Sequence, residues 1–237
     1  MKLPIIALTA LLFLGTSSAK AIEFISFNSK DGLKVTADLY LTDNPLNPFI
    51  ILFHQAGWSR GEYTEIAPKL NALGYNCMAV DQRSGEKVNN IINETARRAT
   101  EKSLSSNYPD ALPDMLAAIE YVKANFKMKK LILWGSSYSS ALVLKIAGDY
   151  PDIADATLSF APGEYFERFG QPEDWITQSA KNIKIPVFIT SAKNEHVYWK
   201  NIFDAIPTTT KQSFIPTTEG NHGSRALWEQ FEDHQAY

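Results

Sequence analysis

From Ile22 the chain alternates apolar and polar residues in two runs, IEFISFNS and LKVTADLYLT, on either side of Lys30, Asp31 and Gly32. Period-two alternation around a turn reads as an antiparallel β-hairpin with one solvated face. The next apolar run, PFIILFH (48–54), does not alternate, as expected of a strand buried on both faces. Residues 62–75, EYTEIAPKLNALGY, place Ile66, Leu70 and Leu73 on one helical face and stop at Gly74, a C-terminal cap. YNCMAVDQRSG (75–85) is another buried strand running into a polar loop, so these segments predict a parallel strand–helix–strand unit.

Residues Glu86 to Asn107 are polar with weak helical periodicity and read as an excursion outside the sheet, a small lid or flank. The pattern resumes with an amphipathic helix over 109–126, burying Leu112, Met115, Leu116, Ile119 and Val122. The strand KLILWG and the helix SSALVLKIAGDY follow. Three more strands, ATLSFAP, IPVFITSA and KQSFIPTT, come with helical segments around Tyr198 to Ala205 and Arg225 to Phe231. An antiparallel start followed by alternating strands and helices predicts an α/β fold with a mostly parallel, doubly wound sheet. Ligands bind at the carboxyl ends of the strands in such sheets.

The first 21 residues depart from this pattern. One lysine, an apolar stretch from Leu3 to Leu14 and the small residues Ala19, Lys20 and Ala21 have the layout of a secretory signal cut after Ala21, and the apolar run is short for a membrane span. No cysteine follows the apolar stretch, which excludes a bacterial lipoprotein. The expected mature chain, 22–237, is one domain, exported to the periplasm or secreted, with no stable membrane insertion. Cleavage removes two lysines and no acid, taking the net charge from −3 to −5 and arguing against a nucleic-acid partner. The single Cys77 sits in an apolar run as a buried structural thiol, and no Cys/His cluster has metal-ligand spacing, so neither a metal nor another cofactor is expected.

Candidate chemistry concentrates where the strand ending at Trp134 meets the next helix. Gly135, Ser136, Ser137, Tyr138 and Ser139 occupy the five places of G-x-S-x-G, with Ser139 in the last. That motif projects the central serine from a sharp strand-to-helix turn, which requires small neighbours. Ser137 is therefore the candidate nucleophile, and Ser136 and Ser140 are bystanders. A serine hydroxyl needs a base. His222, in EGNHGS after the last strand, stands where the chain order Ser, acid, His expects it. His54 ends a strand and reads as a residue that holds its loop by hydrogen bonds. The backbone N–H groups of Ala56 and Tyr138 are the candidate oxyanion donors.

With FHQAG, DQRSG, GSSYS, IPVFITSAKNE and NHG in this order, the chain resembles an α/β-hydrolase of the dienelactone-hydrolase-like or serine-esterase kind over nearly its whole mature length. The resemblance implies a Ser–His–acid triad that hydrolyses an ester or similar acyl bond of a small molecule through an acyl-enzyme, without a cofactor. The acid departs from the family pattern. Asn194 stands where such hydrolases carry Asp, leaving Glu195 beside it, or Glu164 after the preceding strand, as the acid. Trp58, Tyr63, Tyr138, Tyr165, Phe166 and Trp199 either line an acyl pocket or pack its rim, and Arg60, Arg83 and Arg97 are either substrate-carboxylate ligands or solvated surface. Asn194 and Ser139 also leave open the alternative of a non-catalytic relative that binds a ligand or partner.

Overall fold

The computed structural model describes residues 21–237, so nearly all of the expected signal segment lies outside the described residues. The two alternating runs form β1 (Glu23–Asn28) and β2 (Lys34–Tyr40), paired antiparallel from Glu23 opposite Leu39 to Asn28 opposite Lys34. The chain continues through β3 (Phe49–Phe53), α1 (Ile66–Ala72), β4 (Asn76–Val80), β5 (Lys87–Val88), β6 (Ile91–Ile92), α2 (Glu94–Glu101) and α3 (Leu112–Asn125). It then forms β7 (Leu131–Ser136), α4 (Tyr138–Asp149), β8 (Ala156–Phe160), α5 (Trp175–Ala180), β9 (Val187–Thr190), α6 (His196–Ala205) and β10 (Lys211–Phe214). Eight strands form one sheet in the order β1-β2-β4-β3-β7-β8-β9-β10, with β5 and β6 as a separate small ribbon. β2 runs antiparallel to both neighbours, and every pairing from β4 to β10 is parallel.

The strand order reverses at β3, whose chain goes to β4 on one side, whereas β7 leads to β8 on the other. A crevice opens outside the strand ends at such a switch point, so the loops after β3 and β7 face each other there. The uninterrupted apolar runs of the central strands supply both faces. Phe49, Ile51, Phe53 and Leu133 pack with Met115, Ile119, Leu142 and Ile146 of α3 and α4, while Ile50, Leu52 and Trp134 pack with Ile66 and Ala67 of α1 and with Trp228. Each fully buried large apolar side chain contributes about 1.5–3 kcal/mol. Cys77 is fully buried in the second layer, as its apolar run predicts.

The excursion is a flank. Thr95 Oγ1 of α2 accepts the Thr36 N–H at 2.9 Å and Arg98 donates to Thr36 Oγ1 at 2.8 Å, which fastens the helix to β2. The helix expected from Arg225 to Phe231 is reduced to a 3-10 turn, Ser224–Leu227. Trp228 extends the chain there because its indole stacks on Trp58 at 5.1 Å and its N–H donates to the Glu62 carbonyl at 2.9 Å. The helix α5, by contrast, has no counterpart in the sequence reading. Arg60 is buried against Asp38 and Asp81 and Arg83 against Asp114 and Asp31, so both are internal ion pairs rather than substrate ligands. Arg97 is exposed and paired with Glu94 and Glu101 of its own helix.

Candidate active site

Ser137 occupies the one-residue corner between β7 and α4 at φ 57° and ψ −124°, a backbone conformation strained for a residue with a Cβ. The corner is clamped by the Ser137 N–H donating to the Phe160 carbonyl at 2.8 Å. A Cβ on Gly135 would collide with the Ser139 backbone, which is why that position is glycine. Serine is tolerated at 139 because its hydroxyl donates to the His54 carbonyl at 2.6 Å and accepts from Gln82 Nε2 at 2.5 Å.

Ser137 Oγ lies 2.8 Å from His222 Nε2, and His222 Nδ1 lies 2.7 Å from Glu195 Oε1. A carboxylate only accepts, so Nδ1 carries the ring proton and the neutral ring offers Nε2 as acceptor to the serine hydroxyl. Glu195 closes a 3-10 turn, Lys193–Glu195, after β9, and its second oxygen accepts the Ala192 N–H at 3.2 Å. Asn194 is exposed on the same turn, so the carboxylate comes one residue later on a longer side chain. Glu164 is engaged elsewhere. It accepts from the N–H groups of Ile176 and Thr177 and from the Thr177 hydroxyl, capping the start of α5.

The histidine loop is held from the chain's last residues. Asp233 accepts from the Gly220 N–H at 3.0 Å and from the Thr218 hydroxyl at 2.9 Å, and the Tyr237 hydroxyl accepts from the Asn221 N–H at 3.1 Å. The polar local pattern around these residues gave no hint of the contacts. After β3, a turn closed by Trp58 N–H to the Gln55 carbonyl, with Gly57 at φ 74°, carries Ala56 at its corner. Tyr138 opens α4, where a helix leaves its first amides without intrahelical acceptors.

A cavity of about 450 Å³ opens on Ser137 and His222 and is walled by Tyr108, Glu164, Tyr165, Glu167 and Arg168. Of the aromatics singled out in the sequence, Tyr165 reaches it. Tyr63, Tyr138, Phe166 and Trp199 are buried packing, and Trp58 stacks on Trp228. Tyr108 and Arg168, which sequence reasoning passed over, meet at the rim. The guanidinium lies 4.8 Å from the centre of the Tyr108 ring and 4.7 Å from that of Phe169.

Two buried groups behind the site titrate unusually. His54 donates from Nδ1 to the Gln55 carbonyl at 2.7 Å and accepts at Nε2 from the Gln82 N–H and Asn93 Nδ2, both at 3.0 Å, so it is a neutral loop anchor. Burial pulls it from 6.5 down to about 4. Burial pushes the Glu62 carboxyl from 4.5 up to about 7, against hydrogen bonds from Ser136 and Gln55. Between pH 4.5 and 6.5 the unfolded chain holds the extra proton on His54, so that group makes stability rise with pH. In the same window the folded chain holds the extra proton on Glu62, so that group makes stability fall with pH. The two slopes, about 1.4 kcal/mol per pH unit each, oppose one another. Urea unfolding of Glu62→Gln is expected to expose the His54 slope, with stability rising by about 1.4 kcal/mol per pH unit more steeply than in the wild type; parallel curves would refute it.

The sheet order, the strand-to-helix corner and the flanking helices define an α/β-hydrolase. The sequence model of the serine aminopeptidase S33 family matches residues 45–168, more than half of the chain, and the protein belongs to that hydrolase family. The match contains Ser137 and ends before Glu195 and His222. No curated protein matches the sequence. Among solved structures, a dienelactone hydrolase from Anabaena variabilis superposes with a TM-score of 0.69 at 14% identity, covering 91% of this chain and 92% of that one. An esterase from Pyrococcus furiosus gives a TM-score of 0.67 at 16% identity over 93% of this chain and 90% of that one. A Pyrococcus horikoshii acylaminoacyl peptidase gives 0.61 at 15% over 93% of this chain and 40% of its own length. At these identities the likeness establishes the fold. Among the described residues no helix is long and apolar enough to cross a membrane.

Proposed function

We propose that the protein is an exported serine hydrolase that cleaves an ester or similar acyl bond of a small molecule. The observation that carries the reading is the continuous relay from Ser137 Oγ through His222 to Glu195, with links of 2.8 and 2.7 Å. Ser137 Oγ attacks the acyl carbonyl while His222 Nε2 takes its proton, and Glu195 holds the ring and stabilises the imidazolium. The N–H groups of Ala56 and Tyr138 donate to the oxyanion. Collapse expels the alcohol, which receives the proton from His222 and leaves an acyl-Ser137 ester. Water, deprotonated by His222, then attacks that ester and the acid departs, regenerating the hydroxyl. The cavity over Ser137, open and edged by Tyr108 and Tyr165, suits a small acyl group.

The non-catalytic alternative rested on Asn194 and Ser139. A carboxylate within hydrogen-bond reach of His222 Nδ1 favours the enzyme instead. Labelling with a fluorophosphonate tests the reading. Modification is expected at Ser137 alone, with no label in Ser137→Ala; a folded protein left unmodified would return the scaffold to a binding role. Hydrolysis of p-nitrophenyl esters beside aminoacyl p-nitroanilides then separates ester from peptide substrates, and turnover of the esters is expected.

Export rests on the apolar, small-residue pattern of residues 1–21. N-terminal sequencing of protein recovered from the periplasm or medium of a secreting host is expected to begin at Ile22. Protein retained inside the cell with Met1 intact would overturn it.

A further inference from the structure

Glu62 is a fully buried carboxylate in a 3-10 turn, Arg60–Tyr63, outside the Ser–His–acid relay. Its Oε1 accepts the Ser136 hydroxyl at 2.6 Å and its Oε2 accepts the Gln55 N–H at 2.8 Å. Ser136 Oγ in turn accepts the Ser224 N–H at 2.9 Å. These three partners adjoin the three parts of the site. Gln55 precedes Ala56, Ser136 precedes Ser137, and Ser224 follows His222 by two residues. The segments are packed so closely that a Cβ on Gly223 would lie 2.5 Å from Ser136 Oγ. Trp134 Nε1 fixes the Ser224 hydroxyl at 2.8 Å, and Trp228 Nε1 fixes the Glu62 backbone carbonyl at 2.9 Å, so the Ser224 side chain and the backbone at residue 62 are both held from behind.

We propose that Glu62 is a positioning residue which, as a carboxylate accepting from both Ser136 and Gln55, holds the nucleophile corner, the oxyanion turn and the histidine loop in mutual register. The inference rests on the serine hydrolase reading above and deepens it. The chemistry requires an acceptor at both oxygens. An amide at position 62 offers one acceptor and one donor, so it either turns its NH₂ against the Gln55 N–H or forces the Ser136 hydroxyl to rotate. A protonated carboxyl has the same defect: its O–H displaces one of the two donors. Small displacements of a reacting group cost as much as about 100-fold in rate.

Burial raises this carboxyl to about 7, so its charge changes within the working range of a hydrolase. The other ionisable groups facing it are the Arg225 guanidinium and the Tyr63 phenol, the latter raised well above its ordinary value by burial. The Tyr63 phenol keeps its proton between pH 5 and 8, and His54 on the adjoining turn stays neutral there. Wild-type hydrolysis therefore loses rate on acidification through Glu62.

The test is p-nitrophenyl acetate hydrolysis from pH 5 to 9 by wild type, Glu62→Gln and Ser136→Ala, with circular dichroism on each. Glu62→Gln is expected to lower kcat by about 10- to 100-fold with KM within about threefold. It should also make the acid limb of log kcat/KM shallower than in the wild type, because the Glu62 titration is gone. Ser136→Ala, which removes one of the donors to Glu62, is expected to lower kcat by about tenfold and keeps the proposal falsifiable if Glu62→Gln does not fold. An active wild type with both folded variants within twofold of its kcat, or with unchanged slope in Glu62→Gln, overturns the positioning role alone. A wild type inert toward the ester and toward fluorophosphonate overturns the hydrolase reading and this inference with it.

Discussion

Replacing Ser137 or His222 with alanine is expected to lower kcat/KM for p-nitrophenyl esters by about 10⁴-fold or more, and the double replacement by no more than the worse single one. The non-additivity is the diagnostic part. A hydroxyl 2.8 Å from Nε2 is a nucleophile only while that nitrogen takes its proton, so once either is gone the other has no function left to lose. What remains is binding plus the contribution of the proposed oxyanion donors, the amides of Ala56 and Tyr138. Active-site titration alongside the assay guards against trace wild-type enzyme. If His222→Ala kept more than about a tenth of the rate, another base would be serving Ser137, and the relay as drawn would be wrong.

Sequence patterning reached the sheet and the sharp corner at Ser137 for the same reason. Strands buried on both faces leave unbroken apolar runs, and the corner after β7 demands small residues because the α4 backbone crosses directly over Gly135. Both requirements are local, so a short window of residues displays them. Glu62 shows the opposite case. EYTEIAPKL reads as the polar start of a helix, yet Glu62 is buried because Ser136 and Gln55, distant or unremarkable in the sequence, supply its donors. Arg60 and Arg83 follow the same logic, each made internal by acids contributed from other elements. The terminal helix failed to appear because Trp228 gains a ring stack and a hydrogen bond by extending the chain, a tertiary gain that helical periodicity cannot register.

The carboxylate beside His222 was half legible. The sequence confines it to the loop after β9 or the loop after β8, and the folded chain gives each carboxylate a different partner. Glu195→Gln is accordingly expected to lower kcat by about 10³- to 10⁴-fold while leaving KM within about threefold and the folded state intact. The amide can turn its oxygen toward Nδ1, but it cannot stabilise the imidazolium. It can also present its NH₂, which favours the ring tautomer with the proton on Nε2, facing Ser137. Asn194→Asp places the customary residue at the customary position. Position 194 is exposed, so on its own this substitution is expected to leave kcat within about twofold, and combined with Glu195→Gln it should restore nothing. Rescue in the double variant would mean that the loop after β9 can shift by one residue to present either side chain. The acid would then be a property of the turn as a whole, with Glu195 only its present occupant.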